Sequence, residues 1–186
     1  MISIKFAIPL ALSCMLTGCF QVQGVHYIHR YGESDDGAYR ITMNRLTYAA
    51  LQSDDHYSDL MKQLHSWSRP TTRTEGDSVL LEDNTGNASM EHFYDSYHCS
   101  AAPLQGYMDC RFAFKIDKEM GALPDWSIDW EVVLQPDMQV IQSNHQRTRR
   151  QNGLDHLIWY YDGNRTSEAS VDFTVRVPKA TAGSRF

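Results

Sequence analysis

Tyr107-Met108-Asp109-Cys110-Arg111-Phe112-Ala113-Phe114-Lys115-Ile116 alternates without a break. Met108, Cys110, Phe112, Phe114 and Ile116 form one row; Tyr107, Asp109, Arg111, Ala113 and Lys115 form the other. Successive side chains of a strand point to opposite faces, so this period of two is a strand with one buried and one wetted side. Upstream, Phe93 to His98 reads as its partner, across a loop containing Pro103 and Gly106. A hairpin symmetric about Leu104-Gln105 sets Cys99 opposite Cys110 and Tyr97 opposite Phe112. The cysteines then form a cross-strand disulfide on the inner face, worth about 3 kcal/mol in the chain-entropy description.

The same alternation continues on both sides of this hairpin. Trp126, Ile128, Trp130, Val132 and Leu134 oppose Ser127, Asp129, Glu131 and Val133 in a strand over Asp125 to Leu134. Ala169, Val171, Phe173, Val175 and Val177 form the inward row of a strand over Ser167 to Val177. Met138–Ser143 and the aromatic run Leu154–Tyr161 are further strands, and Asp162-Gly163-Asn164 is a hairpin turn signal. Near the start, Val25–Tyr31 and Ala38–Tyr48 make a hairpin about the Gly32–Gly37 turn. One helix is expected over Asp54–Ser66, where Leu60, Met61, Leu64 and Trp67 form an apolar stripe ending before Pro70. Residues 68–77 read as a polar loop. The fold class is α+β: a predominantly antiparallel β-sheet of about seven or eight strands, with one amphipathic helix packed on one face. Residues 25–178 form a single domain, and 179–186 a frayed tail.

Composition sets the outer limits. The chain has 186 residues, 42% apolar and 22% charged, with a formal charge of −6. This excludes a wholly disordered chain, a collagen-like repeat and a multi-pass membrane protein. It also excludes a globally basic nucleic-acid binder.

The N-terminus assigns a compartment. Lys5 precedes an apolar run from Phe6 to Leu16, too short to span a bilayer and suited to a secretory signal. Leu16-Thr17-Gly18-Cys19 follows, and it resembles the lipobox of bacterial lipoproteins. That resemblance implies a signal peptide over residues 1–18, cleavage before Cys19, and a diacylglyceryl group on the Cys19 thiol. The fatty acyl chains, palmitate among them, then anchor the protein, and residues 19–24 are a lipidated tether. Phe20 stands where inner-membrane lipoproteins carry Asp, which implies the outer membrane, facing the periplasm. Of four cysteines, Cys14 leaves with the signal and Cys19 is lipidated. Cys99 and Cys110 remain to pair in an oxidising compartment. Cleavage removes one of 17 basic residues and none of the 23 acids, so the mature charge is −7. An anionic surface mildly repels such a body, which leaves the anchoring to the lipid.

A second resemblance covers Val25 to Val177. It rests on the early strand, the acidic Asp35-Asp36-Gly37 turn, the returning strand and the helix near Leu60–Leu64. The late aromatic strand about Trp159 and the stretch Val171-Asp172-Phe173-Thr174-Val175 complete it. The layout is similar to that of LppM-like bacterial lipoproteins. This implies a β-rich fold and an envelope role, and it supplies no catalytic residues. Cys99–Cys110 and the arginine-rich segment described next fall outside it.

Candidate chemistry is sparse. His26 and His29 differ by an odd step on a strand, so they do not share a metal there, and neither HExxH nor CxxC occurs. No metal and no cofactor are expected. Asp129 and Glu131 share a face opposite the tryptophans, as on a solvated side, which leaves hydrolysis a minor reading. There is no GxSxG elbow.

The unusual feature is His145-Gln146-Arg147-Thr148-Arg149-Arg150-Gln151-Asn152-Gly153, with three arginines at a hairpin tip of an acidic chain. Arginine forks suit phosphates and carboxylates. Arg147, Arg149 and Arg150 are therefore candidates for an anionic lipid or an acidic envelope protein. Trp159, Tyr160 and Tyr161 put aromatics on both strand faces, so one of them is a candidate binding surface. The expectation is a non-enzymatic binding or assembly module held at the membrane, with no nucleic-acid partner. The alternative is an immunity or inhibitor lipoprotein against an envelope-targeting toxin or hydrolase.

Overall fold

The computed structural model describes residues 20–52, 62, 68–116, 126–166 and 168–180. Their strands, in chain order, begin with β1 (Phe20–Tyr27) and β2 (Asp36–Asn44), followed by helix α1 (Arg45–Gln52). Next come β3 (Thr71–Glu75), β4 (Ser78–Asp83), a 3-10 turn at Met90–Phe93, β5 (Ser96–Ala101) and β6 (Tyr107–Ile116). β7 (Trp126–Leu134), β8 (Gln139–Ser143), β9 (Arg147–Gln151), β10 (Leu154–Asp162) and β11 (Ala169–Pro178) complete the order. They make two sheets: a seven-stranded one, β3-β4-β2-β1-β7-β10-β9, and a four-stranded one, β5-β6-β11-β8.

The apolar rows read from the sequence are the facing sides of these sheets. Trp126, Ile128, Trp130 and Val132 of β7 are buried with Leu157 and Trp159 of β10. Across the gap lie Cys110 and Phe112 of β6, with Val171, Phe173, Val175 and Val177 of β11. Rings lock the layers together: Phe114 to Trp130 at 5.1 Å and Trp159 to Phe173 at 5.5 Å between centroids. A buried tryptophan removes roughly 150–250 Å² from water, a gross gain of about 4–6 kcal/mol each.

β1 organises the larger sheet. It pairs antiparallel with β2 and parallel with β7, so the sheet is mixed. Its inward row is Phe20, Val22, Gly24 and His26, continued by the buried Ile28 just past the strand. Gly24 sits opposite Trp130, and a Cβ there would lie 2.3 Å from the indole ring. The missing side chain is what lets that ring lie against the strand. Gly163 does the same for Trp126, also at 2.3 Å.

The hairpin expectation holds in detail. β5 and β6 pair with Cys99 opposite Cys110 and Tyr97 opposite Phe112. The disulfide joins Cys99 to Cys110 with their Cα atoms 4.0 Å apart. β5 itself runs Ser96–Ala101, later than the Phe93–His98 read from sequence, because Met90–Phe93 forms the 3-10 turn.

Other expectations change. β1 begins at Phe20, which is only 5% exposed, so residues 20–24 are sheet and not a tether. The second strand stops at Asn44 instead of Tyr48. Asn44 Oδ1 accepts the Thr47 N–H at 2.6 Å, a side-chain cap that starts α1. The helix expected at Asp54–Ser66 lies outside the described residues apart from Lys62, so α1 is the described helix. The loop expected at 68–77 contains β3, and β3 and β4 form a hairpin through Gly76 at φ +57°. The Asp162-Gly163-Asn164 turn joins no hairpin, because it carries the chain from β10 in one sheet to β11 in the other.

Gly24→Val is expected to destabilise the fold by at least about 1–3 kcal/mol, the usual cost of overpacking a filled core. Urea unfolding of the variant reads this directly, and an unchanged midpoint would contradict the seating of Trp130 on Gly24.

Candidate functional site

Two groupings of polar side chains stand out, one on the outer face of the larger sheet and one inside the sandwich. The outer one spans β7, β10 and the edge strand β9. Register puts Arg147 beside Ile158 and Arg149 beside His156, while Ile158 lies beside Glu131 and Tyr160 beside Asp129. Arg147, Arg149, His156, Ile158 and Tyr160 thus share a face with Asp129 and Glu131. Arg150 points the other way, beside Asp155.

The three arginines are not at a hairpin tip. They occupy β9, all five of whose residues are exposed, and the tip is Asn152 and Gly153, at φ +54° and +79°. Two of the three are paired. Arg149 donates to Glu131 Oε1 at 2.7 Å, and Arg150 lies 3.8 Å from Asp155. Arg147 has no ion pair among the described residues. The aromatic trio divides as its parity requires. Trp159 is fully buried and donates to Asn144 Oδ1 at 2.7 Å, so it belongs to the core and not to a binding surface. Tyr161 is half-buried, its hydroxyl donating to the Ser170 carbonyl at 2.6 Å. Tyr160 is 54% exposed beside Asp129.

The acids of this face are engaged. Glu131 Oε1 accepts from Arg149 and meets His156 Nδ1 at 2.5 Å. Asp129 is among the exposed residues, yet partial burial, and then the Glu131 carboxylate, raise its pKa. A raised carboxyl beside a paired one is the electrostatic arrangement of acid–base catalysis. Catalysis also needs a recess to hold substrate, and a cleft of about 580 Å³ and one of about 380 Å³ among the described residues are both lined by other side chains.

Those clefts are elsewhere. One of about 580 Å³ lies between β6, β8 and β11, lined in part by Phe114, Asn144, Tyr161 and Ser170. Its polar groups serve each other: Asn144 Oδ1 accepts the Asp172 N–H at 2.9 Å, and its amide donates to the Ser170 carbonyl at 3.0 Å. The other, about 380 Å³, holds Arg30 paired with Asp137 at 3.1 Å.

The inner grouping was not read from the sequence. His26 is 0% exposed, and its Nδ1 lies 2.8 Å from Tyr94 Oη. Trp130 Nε1 donates to the same oxygen at 3.0 Å. An indole N–H can only donate, so the Tyr94 oxygen accepts from Trp130, while the direction of its bond to His26 Nδ1 follows the histidine tautomer. Burial holds the Tyr94 hydroxyl well above the ordinary phenol range, so it stays protonated. His26 Nε2 lies 3.3 Å from Asp35 Oδ2 and makes no hydrogen bond among the described residues. Asp35 also accepts the His29 N–H at 2.8 Å. This chain of donors resembles an acid–base relay, but His26 and Tyr94 are sealed between the sheets, out of reach of substrate. The signal for it was His26 itself, which has the inward parity of Phe20, Val22 and Ile28. Among the described residues no cluster of three or more His, Cys, Asp or Glu could hold a metal ion.

No protein-family model matches the chain, and no curated protein matches it. Among solved structures, the chain is similar to the folded domain of Mycobacterium tuberculosis LppM, determined by NMR. The TM-score is 0.45 at 8% sequence identity, over 90% of this chain and 94% of that one.

Tyr94→Phe leaves the Trp130 N–H and His26 Nδ1 without their shared partner. The variant is expected to lose about 2–6 kcal/mol, since each orphaned buried group costs about 1–3 kcal/mol. Chemical denaturation measures it; a loss below about 0.5 kcal/mol would show that water or a rearranged ring satisfies both groups.

Proposed function

We propose that the protein is a lipoprotein of the cell envelope, anchored through Cys19, that works as a non-enzymatic binding module. Its recognition surface is the free edge β9 with the adjoining face of β10, and its partner presents an acidic segment. The lipobox Leu16-Thr17-Gly18-Cys19 supports the anchor, and Phe20 in place of Asp supports an outer-membrane destination. A Cys99–Cys110 disulfide accords with an oxidising compartment.

One observation carries the binding role. Every residue of β9 is exposed at a sheet edge, three of the five are arginines, and Arg147 and Arg149 share their face with the exposed Tyr160. Arginine and tyrosine are the residues interfaces favour. Charged edges also protect a sheet from fortuitous pairing, and that role accounts for Arg150 with Asp155. It leaves Arg147 unexplained.

Geometry favours a protein partner over the anchoring leaflet. Trp126 is level with Phe20, where the anchor enters, and Glu131 and Val133 are level with Arg147 and Arg149 through β10. At about 3.3 Å per residue, the two arginines stand roughly 17 and 23 Å along the sheet from the anchored end. That is at least twice the ~8 Å screening length at physiological salt.

The test is capture from detergent-solubilised envelopes with the lipidated protein and with the variant R147A/R149A/R150A. The parent is expected to retain a partner whose binding weakens as salt rises, and the variant to lose it about tenfold or more. The variant's unfolding midpoint should move little, since exposed ion pairs contribute about 0–1 kcal/mol. Equal capture by the two proteins would overturn the assignment of the surface. A captured toxin or hydrolase that is inhibited on binding would make the module an inhibitor acting through the same edge. Cys19→Ser is expected to release the protein from the membrane fraction, and retention there would overturn the anchor.

A further inference from the structure

The anchor and the folded body leave almost no chain between them. Cys19 is followed at once by Phe20, which is buried and paired on one side to Met43 and on the other to Trp126. β1 is the middle strand of seven, so the chain enters at the centre of one end of the sandwich. A lipid on Cys19 therefore holds that end against the bilayer surface, with no free tether to let the body turn away.

The same end carries features that fit such a surface. Met43 lies two residues before α1, so α1 sits beside the entry point of the chain. The Arg45 N–H donates to the Asp77 carbonyl at 3.0 Å, fixing the start of the helix to the β3–β4 turn. Thr47 is buried and Tyr48 half-buried, while Arg45, Leu46, Ala49 and Gln52 are exposed. Leu46, at 65%, is more open than any other large apolar side chain of the described residues. Leu46 and Ala49 are three apart and share a face. The β10–β11 turn ends at the same level, since the Gly163 N–H donates to the Trp126 carbonyl at 2.7 Å. It presents Arg165, whose side chain is 85% exposed and lies 3.6 Å from Asp162.

We infer that this end of the sandwich is a lipid-contacting surface, with Leu46 of α1 entering the headgroup region and Arg45 and Arg165 facing the phosphates. The occupant is the leaflet that holds the Cys19 lipid, so the inference rests on the anchor proposed above. Arginine stems lie along apolar surface while their heads reach phosphate, and an exposed leucine on a helix held at the interface loses its contact with water. The acidic body would not bind a membrane this way by itself; the acyl chains bring the surface to it. The assignment also fixes what faces outward: the β5–β6 loop with Leu104, at the far end beside the close of β11.

The test uses two single substitutions, L46C and L104C, in the full lipidated protein. With Cys19 acylated and Cys99 bonded to Cys110, each new thiol is the only one available for bimane. Leu46 and Leu104 are both exposed, at 65% and 52%, so neither substitution disturbs the core. The labelled proteins are placed in phosphatidylethanolamine–phosphatidylglycerol vesicles containing a headgroup spin-labelled lipid. Because interfacial side chains bury to about 5–10 Å, the label at Leu46 should be quenched at least about twofold more than that at Leu104. Intact mass confirms the lipid in each sample. Lipidated protein with equal quenching at both sites, or stronger quenching at Leu104, overturns the inference and leaves the anchor standing. Protein without lipid overturns both.

Discussion

Everything in this fold is referred to β1. It is the strand with a neighbour on each side in opposite senses, antiparallel β2 and parallel β7. It has no bulk at Gly24, where the Trp130 ring lies, and it carries His26 into the core. A parallel pair needs a long crossover, and here the whole chain from β2 to β6 is that crossover. Phe20 is itself part of that pairing, opposite Met43 on one side and Trp126 on the other. The edge arginines and the sealed histidine take their places from that strand, as does the anchor proposed at Cys19.

The polar content of the core follows from the same strand. A histidine facing inward must find partners, because an orphaned buried polar group costs about as much as a lost hydrogen bond. Tyr94, arriving from the 3-10 turn, supplies one and is held in turn by Trp130. Asp35, at the turn into β2, supplies a negative charge near Nε2. These groups look catalytic as an inventory and structural as an arrangement, since burial denies them a substrate. On the outer face the position is reversed: Asp129 and Arg149 are exposed, with Glu131 and His156 partly buried beside them.

Much of the fold was legible because alternation is legible. β6, β7 and β11 each have one buried and one wetted side, and the disulfide register followed from loop symmetry alone. β3 and β9 escaped for the converse reason. Every residue in each is exposed, so neither has an apolar row from which a period could be read. The start of β1 escaped because Gln21, Gln23 and Gly24 look like linker until the buried Phe20 is known. The turn at Gly163 was visible, but its destination was not: Asp162-Gly163 signals a reversal, and only packing decides that the next strand joins the opposite sheet. Of the candidate surface, the arginines were visible by composition and Tyr160 by parity. Their common face depended on pairing across three strands, which no local pattern encodes.

With the proposed lipid on Cys19, the anchored end and the folded end of this molecule are one place, and a flexible leader would dissolve that link. Hydrogen exchange on the lipidated protein in vesicles measures it most directly. Amides of Gln21 to Val25 should exchange as slowly as those of β7 beside them, because both belong to the same buried ladder. Exchange of that stretch at the rate of an unstructured peptide would mean that β1 begins later, that the anchor is loosely tied, and that no end of the sandwich is held to the membrane.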